Sequence, residues 1–200
     1  MAYPAGVKPD ALVPVEVMST YTDHTSHLPS RMAYFTPDTA DALAQAAEDY
    51  STNLGGTLYL SDGFRSEYAQ ACAHLDYLYG HHLTAQINVF LSLHPELVSY
   101  TPHPKTAYSP PPGGSMHEAG RAIDVDQDPK WSGTTAEVLR ETLEKYGWVH
   151  IAALGSSESW HYEYRGKFQE VYDATLQETG DSKKAYKAMT EAAIADIKGA

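Results

Sequence analysis

The residues best suited to chemistry lie in two short stretches, Ser115-Met116-His117-Glu118-Ala119-Gly120-Arg121-Ala122-Ile123-Asp124 and Glu158-Ser159-Trp160-His161. Together they supply two imidazoles, a carboxylate and a further glutamate, the inventory of a hydrolytic zinc site with one coordination position open for water. His117 and Asp124 stand seven residues apart, so they do not share a helical face; they converge if Gly120 lets the chain fold back sharply. On a strand through 159–165, His161 and Glu163 face one way and Trp160, Tyr162 and Tyr164 the other. Two antiparallel strand edges could then present His117, Asp124 and His161 to a single ion. Residue type and spacing leave two choices open: Asp124 or Asp126 as ligand, and Glu158 or Glu163 as base.

Helices and short strands must hold these groups. Thr36-Pro37-Asp38 is a helix start with proline at the first helical position, and Leu43, Ala46, Ala47 and Tyr50 predict a helix over 37–52 ended by Gly55-Gly56. A strand is expected at 57–61. Tyr68, Cys72, Leu75 and Tyr79 mark an amphipathic helix over 66–79 closed by Gly80, with a second helix over 83–93. Five prolines between 95 and 114 predict a stiffened loop that could wall a cleft.

Residues 121–126 are expected to form a strand, with Ile123 and Val125 on one face and Ala122, Asp124 and Asp126 on the other. Thr134 and Glu137 suggest a capping box for a helix ending near Gly147; strands follow at 148–154 and 159–165, and the last thirty residues are expected to be helical. Trp160 is expected to pack in the core and orient His161. Helices and strands without regular alternation predict an α+β fold with a small, mainly antiparallel sheet and flanking helices. The expected organisation is an extended arm over 1–35, a catalytic domain over 36–165, and a helical extension over 166–200 packed on the same domain.

The 200-residue length favours one catalytic unit, expected to be a monomer. A formal charge of -12 argues against binding nucleic acid or an anionic membrane through phosphate neutralisation. Cys72, the sole cysteine, excludes an intramolecular disulfide and fits a buried, inert thiol. The start of the chain shows no signal peptide, so it is expected in the cytoplasm or released by lysis or a dedicated secretion route. Asp124-Val125-Asp126-Gln127-Asp128 mimics the opening of a calcium loop, but Pro129 stands where glycine is needed and Thr135 where a bidentate glutamate is needed.

Ser115-x-His117-x-x-Gly120-x-Ala122-x-Asp124, followed by Glu158-x-Trp160-His161, resembles the double signature of the zinc D-Ala-D-Ala carboxypeptidase family. That family also includes the VanX and VanY types and the L-Ala-D-Glu endopeptidases of phage lysins. Gly63-Phe64-Arg65-Ser66-x-x-x-Gln70 is similar to its third element. The resemblance spans roughly residues 36–165 and implies a Hedgehog/DD-peptidase-like fold. It implies one zinc ion on His117, Asp124 and His161, Glu158 as general base for a metal-activated water, and Arg65, Gln70 and Ser115 as substrate-binding groups. The implied substrate is a peptidoglycan stem peptide or a D-Ala-D-Ala-type terminus, cut by a D,D- or L,D-carboxypeptidase or an L-Ala-D-Glu endopeptidase. The alternative is a non-catalytic zinc-binding module of Hedgehog-like fold, against which Glu158 counts because such a module needs no base.

Overall fold

The N-terminal segment supplies more of the core than its proline content suggests. The computed structural model describes residues 6–18, 30–127, 133–151 and 158–198. Within the segment expected as an extended arm, strands β1 (Val13–Met18) and β2 (Ser30–Phe35) pair antiparallel, with Val13 opposite Phe35 and Val17 opposite Arg31. Val17, Ala33 and Phe35 enter the main core. Helix α1 (Pro37–Leu54) adds Ala42, Leu43, Ala46 and Tyr50 to that core and ends at Gly55, whose φ of 65° is the left-handed conformation glycine adopts freely.

Strand β3 (Leu60–Asp62) begins slightly later than expected. Helix α2 (Glu67–Gly80) starts where the Ser66 hydroxyl accepts from the Ala69 N–H, and α3 (Thr84–Leu93) folds back on it. Ala71, Leu75, Leu78, Ile87, Phe90 and Leu97 form a second cluster, in which the free Cys72 thiol is also buried. Gly80 belongs to the helix and does not close it. Strand β4 (Ala122–Val125) and helix α4 (Ala136–Lys145) follow. The cap of α4 is Thr135, not Thr134: the Thr135 hydroxyl accepts from Val138 N–H, while the Thr134 hydroxyl is taken by Tyr50 Oη.

Strands β5 (Trp148–His150) and β6 (His161–Tyr164) complete a four-stranded antiparallel sheet in the order β3-β4-β6-β5. Part of the expected 148–154 strand lies outside the described residues. Helices α5 (Gln169–Thr179) and α6 (Ser182–Lys198) end the chain, and Met189, Ala193 and Ile194 of α6 pack on Met116, Ala119 and Ala122. The architecture is therefore α+β, small antiparallel sheets with flanking helices. No described helix is long and apolar enough to cross a membrane.

Strand alternation decides which side chains reach the site. Ile123 pairs with Tyr162, both fully buried in the main core, so Asp124 and its cross-strand partner His161 point to the opposite face. Glu163, opposite Ala122, shares that face one step further along.

Candidate metal centre

His117 reaches the Asp124–His161 pair from a 3₁₀ turn, Met116–Ala119, that the sequence caps at both ends. At its start Ser115 Oγ accepts from His117 N–H, and the Glu118 carboxylate accepts from Ser115 N–H and Gly113 N–H. At its end Gly120 has a φ of 65°, which turns the chain back into β4 within two residues. A Cβ there would lie 2.5 Å from Leu12 Cδ2. Gly120→Ala is therefore expected to destabilise the protein by at least about 2 kcal/mol, from the left-handed backbone and the clash together. A urea midpoint unchanged from the parental protein would contradict this.

Three ligand atoms converge. His117 Nε2 lies 3.2 Å from His161 Nδ1 and 3.3 Å from Asp124 Oδ1, and His161 Nδ1 lies 2.8 Å from Asp124 Oδ1. Ligand atoms on a tetrahedral zinc ion stand roughly 3.3 Å apart, the edge of a tetrahedron with ligand bonds of about 2.0–2.1 Å. The donor set and its spacing thus fit a metal ion, and all three residues are buried.

Proton placement agrees. His117 Nδ1 sits 2.6 Å from the Gly63 carbonyl oxygen, which can only accept, so Nδ1 carries the hydrogen and Nε2 turns its lone pair to the cluster. His161 Nε2 faces Glu163 Oε1 at 3.6 Å, leaving Nδ1 for the cluster. Glu163 is fully buried and is held by Arg165 Nε at 3.1 Å and by the hydroxyl of Tyr186 from α6. Burial would raise its carboxyl, but His161 and Arg165 hold it below the ordinary value.

Burial alone would lower the His161 pKa, yet bonds to Asp124 and Glu163 carry it up to about 10. Burial likewise opposes ionisation of Asp124, and the two imidazoles outweigh it, holding that carboxyl well below its ordinary value. The raised His161 value stabilises the metal-free protein fully below about pH 6.5, and this contribution fades as pH climbs toward 10. A metal must displace the same proton. Its apparent affinity is therefore expected to rise about tenfold per pH unit below that value. Chelator competition at two pH values checks the slope, and a flat response would show that no proton leaves on binding.

His117, Asp124 and His161 all line a cleft of about 800 Å³ whose walls also include Arg65, Lys105, Glu158, Trp160 and Tyr186. Glu158 lies on this cleft and Glu163 behind it. Burial pushes the Glu158 carboxyl up, partly offset by the charge of His161. Asp126 stands apart, lining a separate depression with Ser61 and Gln127. For the calcium reading, Asp128 and Pro129 lie outside the described residues, and Asp124 is turned to the imidazoles.

Arg65 borders the cleft, but Nε already donates to Asp62, Nη1 to Gln70 Oε1 and Nη2 to Asp124 Oδ2. It thereby screens Asp62 from Asp124, which sit opposite each other on β3 and β4. Gln70 is completely buried and acts behind the wall, donating to Ser109 Oγ and the Pro110 carbonyl. Ser115 borders the cleft with its hydroxyl engaged by the His117 backbone. Trp160 departs from expectation: it is 37% exposed in the turn before β6 and lines the cleft instead of packing in the core.

Sequence reasoning misses Asp62, Glu163 as the partner of His161, and Tyr186. Asp62, three residues before Arg65, and Glu163, on the same strand face as His161, have local signals; Tyr186 lies on a distant helix.

No protein-family profile and no curated protein sequence matches the chain. Solved structures similar to it include the vancomycin resistance D,D-pentapeptidase VanY from the VanB-type cassette in complex with Zn(II), at 18% identity, 77% of this chain, 84% of that chain and a TM-score of 0.46. The LD-carboxypeptidase LdcB is 20% identical over 87% of this chain and 90% of that one, with a TM-score of 0.43. The D,D-dipeptidase VanXYg, in complex with a D-Ala-D-Ala phosphinate analogue, is 16% identical over 88% of this chain and 74% of that one, with a TM-score of 0.41. Vancomycin-resistance D,D-peptidases and an LD-carboxypeptidase are thus among the solved structures to which this chain is similar.

Proposed function

We propose that this chain is a zinc-dependent peptidase that hydrolyses amide bonds in peptidoglycan stem peptides or at their D-Ala-D-Ala-type termini. The observation that carries the reading is the buried His117, Asp124 and His161 triangle opening onto a cleft that also holds Glu158. Zinc bound there would supply a water whose pKa falls to about 7 and would polarise the scissile carbonyl. Glu158 accepts the proton of the attacking water and returns it to the leaving amine. Its raised pKa brings it closer to the range in which a carboxylate can do both. Arg65 presents a guanidinium edge to a substrate carboxylate through the donors that Asp62, Gln70 and Asp124 leave over. Gln70 and Ser115 act at one remove, the first by holding Arg65 and the second by fixing the His117 turn.

The test is to incubate the zinc-loaded protein with purified muropeptides and with D-Ala-D-Ala and to identify products by mass. Loss of a terminal D-alanine identifies a carboxypeptidase, and a cut within the stem an endopeptidase. Stoichiometric zinc with no cleavage of any stem peptide would favour the non-catalytic metal module.

A further inference from the structure

Three cations, Arg65, Lys105 and Lys187, line this cleft, and their surroundings differ. Arg65 is paired with Asp62 at 2.6 Å and with Asp124 at 3.4 Å. Lys105 is half-buried on the same cleft, and among the described residues no carboxylate lies within 4 Å of its amine. Burial and the neighbouring Arg65 both disfavour its charge; Asp76, Glu158 and Asp62 offset this only from beyond ion-pair distance. A half-buried ammonium beside a guanidinium gains most from an anion brought by a ligand.

The backbone that presents Lys105 is clamped. Asp76 on α2 accepts from Tyr100 Oη and from His103 N–H through its carboxylate, and from Lys105 N–H through its carbonyl. Gly80, one turn further along α2, lets the chain approach so closely that a Cβ there would lie 2.0 Å from the Lys105 carbonyl oxygen. The proline-rich segment is therefore fixed to α2 at the residue that carries the cation. Lys187 also lines the cleft, but its amine is 3.7 Å from Glu191 and so already has a partner.

We propose that Lys105 forms an anion subsite that selects acidic peptides, taking a carboxylate other than the one Arg65 meets. This rests on the peptidase reading for its substrate class. The substrate is then a peptide with two carboxylates, one near the cut bond and one on a flanking residue. The formal charge of -12 repels such a peptide at a distance, so its recognition depends on this local site.

The test uses the zinc-loaded protein and two reduced-amide analogues of a D-Ala-D-Ala peptide, which cannot be cleaved. One carries a free side-chain carboxylate on the residue preceding the D-alanines and the other its carboxamide. Calorimetric titration is expected to show about tenfold tighter binding of the carboxylate form. Lys105→Met should abolish that preference without weakening the carboxamide form, and Lys105→Arg should retain it. Equal affinities in the parental protein, or a preference surviving in Lys105→Met, would overturn the subsite. Because the parental comparison varies only the ligand, it stands even if a variant folds poorly. Parental protein that cleaves neither parent peptide would instead count against the peptidase reading, whatever the binding preference.

Discussion

Glu158→Ala is expected to keep its full complement of zinc and to cleave stem peptides about 10²–10⁴-fold more slowly, the range that a positioned general base contributes. Retention is expected because Glu158 is outside the ligand triangle. The rate loss follows from its place on the cleft: of the other described carboxylates near the triangle, Glu163 is sealed behind His161, Asp124 is committed to the imidazoles and Arg65, and Glu191 is paired with Lys187. Metal analysis beside a cleavage assay decides the matter, and turnover at the parental rate would sink the mechanism.

His117→Ala should fail in the opposite way, losing the metal itself. Removing Nε2 leaves one imidazole and one carboxylate, fewer than the three protein ligands a catalytic zinc site uses. The same change strips the Gly63 carbonyl of its partner at 2.6 Å and empties a site only 2% exposed, so the folded state should also weaken by about 1–3 kcal/mol. Zinc content after dialysis, together with a urea titration, separates the two effects. A variant that retains stoichiometric zinc would show that the ligand set is misassigned. Glu158→Ala and His117→Ala therefore form a pair, one losing turnover with metal in place and the other losing both.

What is legible in the sequence is what local periodicity encodes. The spacing of Leu43, Ala46 and Tyr50 marks α1, and that of Cys72 and Leu75 marks α2, because one helical face meets one core. The alternation of Ile123 and Asp124 foretells the two faces of β4, and Gly120 the reversal that brings His117 to Asp124. Residue type and spacing leave Asp124 or Asp126, and Glu158 or Glu163, open, and only the motif resemblance separates them, because the register that sets Asp124 beside His161 and the cleft that Glu158 lines are not local properties. The β1–β2 pair escapes for a different reason: Pro14 sits inside the alternation of Val13, Val15 and Val17 and, with the other prolines, reads as a break in a strand. Trp160 is misjudged because a large aromatic beside a ligand is ordinarily core, and only the turn before β6 turns it outward. Thr134 and Thr135 are both competent caps, and a hydroxyl partner 84 residues away decides between them.

The bond from Tyr186 to Glu163 has a bearing on how the protein comes into being. His161 is oriented by a carboxylate that is itself held by the last helix, and that helix also supports the His117 turn through Met189 and Ala193. During synthesis the three ligand residues are made before the scaffold that aligns them. High-affinity capture of zinc should then be a late event, waiting on contacts between segments some seventy residues apart and so on the slow, non-local phase of folding. Until α6 has docked, the newly made chain would carry the three residues without the geometry that holds a metal.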